Sequence, residues 1–289
     1  MAETNRILSQ KLSGIFLFIF FTTSCTPAYF VRYHPNIAEN IFARKVHRIE
    51  AKVTQNPVDS DLLLEAVSEL TIYSYAFFME QADREIVINY NQGRNLYNRA
   101  LNIFNRAKDY GLRGIKLQYP GFDSLMTATK MESFTFKKED VPFLYWTAAA
   151  WGGAISASKG DLAYIVEIPK VGWLLERALE AEAEWNKGAL YSAMISYSMK
   201  RPDQVGKGEK QARMYFKKAL ETSGGNASSP YVTLAEVVSV INQDREEFED
   251  LLNQALIIDF DMDPELKLSN IIAQSRARWL LAQKEELFY

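Results

Sequence analysis

The sequence predicts an all-α protein, and three observations carry that prediction. Apolar residues recur with a period of 3.6 almost everywhere from Ile37 onward. No run of alternating β-branched residues competes as a strand. A small–large–small pattern also recurs on single helix faces. It reads Ala100-x3-Phe104-x2-Ala107 and Ala212-x3-Phe216-x2-Ala219, with degenerate copies Val171-x3-Leu175-x2-Ala178 and Phe248-x3-Leu252-x2-Ala255.

Offsets of four and seven return to one side of a helix, so each copy forms a single packing face. Its alanines let a neighbouring helix approach closely, and the large residue fills the groove between the two. This is the second-helix pattern of the tetratricopeptide repeat, a helix–turn–helix unit of about 34 residues. The copies begin at 100, 171, 212 and 248, and that unequal spacing marks insertions. The expected fold is a tetratricopeptide-like helical repeat array, an α/α superhelix with irregular insertions. Such arrays bury their faces by stacking and leave a concave surface.

The elements follow from local signals. Ile37–Lys52 carries Ile41, Val46 and Ile49 on one side. Asp59–Asp83 opens at Pro57 and Asp59 and is apolar over a broad face. Asn89–Tyr110 is expected to close at Gly111, with a break over Gly114–Pro120 and a short helix at Phe122–Met131. Val141–Ser158 is uncharged throughout; Asp140 and Pro142 supply its start and Lys159-Gly160-Asp161 its stop. Helices are then expected at Leu162–Ile168, Lys170–Glu184, Asn186–Met199, Glu209–Thr222, Tyr231–Asn242, Asp244–Ile258 and Pro264–Glu286. Arg201–Gly208 reads as a polar loop.

The amino terminus has a different character. Arg6 and Lys11 precede the apolar run Ile15–Phe21, which is followed by Thr22, Thr23, Ser24 and then Cys25. A basic region, a short apolar region and small residues form a secretory signal. Cys25, the sole cysteine, falls at the position lipidated in a bacterial lipobox, although Thr22 replaces the usual leucine. The expected organisation is a signal peptide at 1–24, a lipidated tether at 25–36 and a helical repeat domain at 37–289. Stable anchoring by acyl chains takes more than one chain. Within the mature part Val141–Ser158 is the one candidate membrane span, and its two glycines and several alanines mark it as a buried soluble helix.

Composition narrows the chemistry. A net charge of −3 gives no case for nucleic acid, which requires a basic face. One cysteine and two histidines exclude a disulfide framework and leave no basis for a Cys/His zinc site. His34 and His47 lie far in sequence from other candidate groups. The phosphate-loop, dinucleotide and Gly-x-Ser-x-Gly patterns are absent. Asp259, Asp261 and Asp263 resemble the opening of a calcium loop, but Pro264 and Asn270 occupy its Gly and Glu positions. Glu132-Ser133 lacks the downstream residues of a transglycosylase signature. No catalytic residue, metal or cofactor is expected.

The aromatic residues remain. Trp146, Trp151, Trp173 and Trp185 cluster in one part of the chain. Trp146 and Trp151 project about 140° apart at 3.6 residues per turn, so one is expected in the core and the other at a pocket.

At Pro142-Phe-Leu-Tyr-Trp-Thr-Ala-Ala-Ala-Trp-Gly-Gly-Ala-Ile155 the chain resembles the T component of tripartite ATP-independent periplasmic (TRAP) transporters. That family shares the Pro-x-Leu-Tyr-Trp run before an Ala/Trp-rich helix, the lipobox and cryptic tetratricopeptide repeats. The resemblance implies a lipid-anchored periplasmic homotrimer. It also implies a TRAP-type substrate-binding protein as partner, and an apolar path for a hydrophobic or amphiphilic small molecule. Tyr145, Trp146, Trp151, Gly152 and Trp173 are the residues expected to line that path. The alternative is a tetratricopeptide lipoprotein scaffold for envelope proteins with no small ligand.

Overall fold

Short polar side chains set several helix starts. Asp59 accepts from the Leu62 amide, Asn89 from Gln92, Asp161 from Ala163 and Asp244 from Glu247. The structure, a computed structural model, describes residues 26–127, 134–201 and 208–288. In order its helices are α1 (Thr26–Tyr33), α2 (Pro35–Gln55), α3 (Ser60–Tyr73), α4 (Glu80–Glu85), α5 (Tyr90–Gln118), α6 (Phe122–Thr127), α7 (Val141–Ala157) and α8 (Leu162–Ile165). They continue as α9 (Ile168–Glu182), α10 (Trp185–Lys200), α11 (Gly208–Thr222), α12 (Ser229–Leu234), α13 (Arg245–Ile257), α14 (Lys267–Ala282) and α15 (Lys284–Leu287). Two π-helical turns, Ser74–Met79 and Ala235–Ser239, extend α3 into α4 and continue α12. No strand occurs among the described residues, so the protein is all-α.

Helices pack in consecutive pairs: α3 with α5, α7 with α9, α10 with α11, and α12 with α13. The second helix of each pair carries one of the small–large–small faces. Ala100, Phe104, Ala107, Leu175, Ala178, Ala212, Ala219, Leu252 and Ala255 are all buried. Phe216 is half-buried and meets Tyr231 edge-on, with ring centroids 5.3 Å apart. At the ends, α14 packs against α1, which brings the last long helix back to the first.

Several expectations are corrected. Residues 26–33 and 35–55 are helical, so most of the expected tether is part of the fold, and Ala28 is buried. α5 does not stop at Gly111 but continues to Gln118. Gly111 and Gly114 are sites of close approach: a methyl at Gly111 would collide with Thr147, and one at Gly114 with the Phe143 ring. Gly153 returns the relation, since its methyl would lie 2.5 Å from the Phe104 ring. The pairs 104/153, 111/147 and 114/143 run in opposite directions along the chain, so α5 and α7 are antiparallel. Each helix supplies small residues where the other supplies bulk.

Gly153→Ala is therefore expected to destabilise the fold, because overpacking a filled core costs about 1–3 kcal/mol against a helix-propensity gain of about 1 kcal/mol. Urea unfolding of Gly153→Ala and Gly153→Ala/Phe104→Leu would check this. Recovery in the double variant is the expected result, and a more stable single variant would refute the packing account.

Asp140 starts α7 without capping it. Its carboxylate accepts instead from the Lys137 amide at 2.8 Å and from the Tyr119 hydroxyl. Among the described residues the helix long and apolar enough to cross a membrane is Ser60–Glu85, not Val141–Ser158. Leu63, Ala66, Val67 and Leu70 of that helix are fully buried between α2, α5 and α7, the position of a core helix. The expected helix at Pro264–Glu286 is instead α14 from Lys267 followed by α15, and Asp263 accepts from the Glu265 amide in a turn before α14. Cys25, the 1–24 segment, Glu132 and Ser133 lie outside the described residues.

Candidate functional site

The site is built from three helix faces. Ala189, Ser192, Ala193 and Ser196 lie on α10 at offsets of three, four and seven, which return to one side. Ser229, Val232, Thr233 and Glu236 repeat those offsets along α12 and its π-helical turn. Ser269, Ile272, Ala273 and Arg276 repeat them on α14. Corresponding members step by 40 in residue number: 189, 229 and 269, then 192, 232 and 272, and onward to 196, 236 and 276. Tyr145 of α7 and Tyr75 of the first π-helical turn complete the wall. They enclose a cleft of about 320 Å³.

Every lining residue therefore comes from α14 or from the first helix of a pair, or from its π-helical continuation. α5, α9, α11 and α13 stand behind. Both π-helical turns contribute, Tyr75 from one and Glu236 from the other. The extra residue in a π turn shifts the following side chains around the helix, and such turns concentrate at functional sites.

An ion cluster closes one end. The Arg276 Nε and Nη2 atoms donate to Glu236 Oε1 at 3.0 and 2.6 Å, and Nη1 donates to Asp83 Oδ2 at 2.7 Å. Nη1 also lies 3.4 Å from Glu80 Oε1. Glu80 is buried and pairs through its other oxygen with Arg84 at 3.0 Å. Burial pushes the Glu80 carboxyl above its ordinary range, while Arg276 and Arg84 pull it back. A smaller cavity of about 160 Å³, lined by Phe77, Glu80, Arg84 and Gln274 among others, lies beyond this cluster and shares Ile272 with the cleft.

Of the five residues expected to line a path, the structure places only Tyr145 in the cleft wall. Its ring lies 5.1 Å from that of Trp146 and 4.8 Å from that of Trp185. Burial alone pushes its hydroxyl up to about 12. Trp146 is half-buried behind it. Trp151 is on a different side of α7, 4% exposed, and donates from Nε1 to Glu167 at 2.8 Å. Lys108 and Lys170 lie over its ring. Gly152 faces Val171. Trp173 is buried against Phe122 and Phe136. The 140° separation of Trp146 and Trp151 is realised, but the pocket recruits the neighbouring Tyr145 rather than either tryptophan.

The residues missed by sequence reasoning are the lining faces of α10, α12 and α14, with their Glu236–Arg276 pair. Their signal was present as a 40-residue step from Ala189 to Ser229 and Ser269, and from Ala193 to Thr233 and Ala273. It lies on first helices, whereas the recognised pattern lies on second helices. Among the described residues no cluster of potential metal ligands occurs. Asp261 and Asp263 are held by Lys267 and Lys187.

These features define an all-α protein of paired helices with a cleft between their first members. The chain belongs to the TRAP transporter T-component family, whose sequence profile matches residues 33–288. It is also similar to an uncharacterized protein of Treponema pallidum (strain Nichols), 25% identical over 245 residues, covering 83% of this chain and 76% of that protein. The family is an accessory component of TRAP transport and points to the bacterial envelope.

Proposed function

We propose that this chain is the periplasmic, lipid-anchored accessory component of a TRAP-type uptake system. In this reading it binds or passes a hydrophobic or amphiphilic solute and docks a periplasmic substrate-binding protein. The observation that carries the reading is the cleft. Three helical segments distant in sequence turn matched faces, and two more contribute a tyrosine each, toward one space of about 320 Å³, roomy enough for a small organic molecule. The helix pairs with buried small–large–small faces support a degenerate tetratricopeptide array. Assembly as a homotrimer and anchoring at Cys25 follow from the family resemblance and the amino-terminal sequence.

Burial of Trp151 and Trp173 favours the second reading, a scaffold with no small ligand, only for that side of α7. The cleft favours the first. No catalytic residue enters either reading.

Native mass spectrometry of the full-length protein and its Cys25→Ala variant, purified from their own envelope, tests the proposal. The expected result is an acylated wild type that carries a small solute and a binding-protein partner, and a non-acylated variant released from the membrane. A wild type without solute would leave the scaffold reading, and an unchanged membrane association of the variant would remove the anchor.

A further inference from the structure

The polar groups of the cleft differ in what they leave available. Arg276 is already shared among carboxylates: its Nε and Nη2 donate to Glu236 and its Nη1 to Asp83, with Glu80 also at 3.4 Å. Three carboxylates surround this one guanidinium. Arg84 is engaged with Glu80, and Lys200 acts on Glu236 from the end of α10. Local charge thus closes near zero, and among the described residues the one cation in the wall is already neutralised by carboxylates before an anion arrives. A carboxylate ligand would have to displace Glu236 or enter beside it, and desolvating an unpaired charge is costly.

The hydroxyls are the reverse case. Ser196, Ser229, Thr233 and Tyr145 line the cleft and have no side-chain hydrogen bond to any described residue. They alternate with Ala189, Ala193, Val232 and Ile272, which offer apolar contact. Hydroxyls both donate and accept, so they match neutral hydroxyl or amide groups without charge.

We propose that the cleft selects a neutral, hydroxyl-bearing amphiphile over a fatty carboxylate, with Ser196, Thr233 and Tyr145 recognising its polar head. The proposal rests on the reading of the cleft as a solute site and names its ligand class. A site built to bond hydroxyls discriminates through the groups left unpaired when the ligand lacks them.

The test uses the full-length protein in nanodiscs, with empty nanodiscs as the blank. Three probes each carry a six-carbon chain, which in the acid includes the carboxyl carbon: 1-O-hexylglycerol, hexanoate and hexylammonium. Calorimetric titration gives affinities, and a change in tryptophan fluorescence that is lost when Trp146 and Trp185, the two beside Tyr145, are both replaced by Phe reports occupancy of the cleft. 1-O-Hexylglycerol is expected to bind at least about tenfold more tightly than hexanoate, and Ser196→Ala/Thr233→Val is expected to reduce that preference below about threefold. Should the double variant fail to fold, Tyr145→Phe, which removes only a hydroxyl, is expected to narrow the preference as well. Equal or tighter binding of hexanoate or hexylammonium would overturn the neutral selection while leaving the cleft a ligand site. An unchanged preference in the folded variants would overturn the assignment to these hydroxyls. Binding of no probe would overturn both this inference and the solute-site reading.

Discussion

Replacing Arg276 by methionine is expected to destabilise the protein by about 3–5 kcal/mol, the cost of breaking a buried pair and leaving its partner uncompensated. The Arg276 side chain is 12% exposed and that of Glu80 5% exposed. Methionine keeps much of the volume, so the loss reports the charge. Arg276 is also a tie between distant segments, joining α14 to α4 and to the π-helical turn after α12. The loss is therefore expected in the cooperative unfolding of the whole array rather than in local fraying.

The penalty should depend on pH, and the direction follows from Glu80. Burial raises its folded pKa above the ordinary 4.5, so between those two values the native state binds more protons than the unfolded state. Stability from this group is present below the unfolded value and is lost as pH rises through the folded one. Without Arg276 the folded value rises further. The methionine variant should then lose less stability near about pH 5 than near about pH 8, and adding Glu80→Gln should restore part of the loss at the higher pH. Urea denaturation at both pH values would show this; equal penalties at both would rule out the uncompensated carboxylate as the cause.

Trp151→Ala is the second large effect. Truncating a buried tryptophan costs about 3–5 kcal/mol, and Trp151 is 4% exposed. The substitution also leaves Glu167 without its indole donor. Trp151→Phe should lose less than the alanine variant, because it keeps an aromatic ring and so leaves a smaller cavity along with the lost hydrogen bond. Since Trp151 does not line the cleft, affinity of the folded variant for 1-O-hexylglycerol should equal that of the wild type. Thermal unfolding and titration together separate the two roles. A stable variant with weakened binding would return Trp151 to a ligand path.

Helix content and the antiparallel α5–α7 pairing have different sources. A period of 3.6 and helix-starting Asp and Asn residues are local properties, so α3, α7 and α13 were legible as helices. Gly111 was misread for a physical reason. A glycine that ends a helix and one that admits a neighbour look alike until the neighbour is known, and here the neighbour is Thr147. The family was legible through the run from Pro142 to Ile155, which is a short contiguous stretch.

The cleft was only partly legible. Tyr145 was singled out with the tryptophans around it, but choosing among them required knowing which side of α7 meets α9 and which is left open. The sequence by itself determined an all-α chain of paired helices with alanine faces, because those patterns act over one or two turns. Only the tertiary structure decided that α10, α12 and α14 turn matched faces to one space, and that Arg276 reaches Glu80 and Asp83 across the array. Such contacts depend on the summed angles of all the helices between them, which no local pattern encodes.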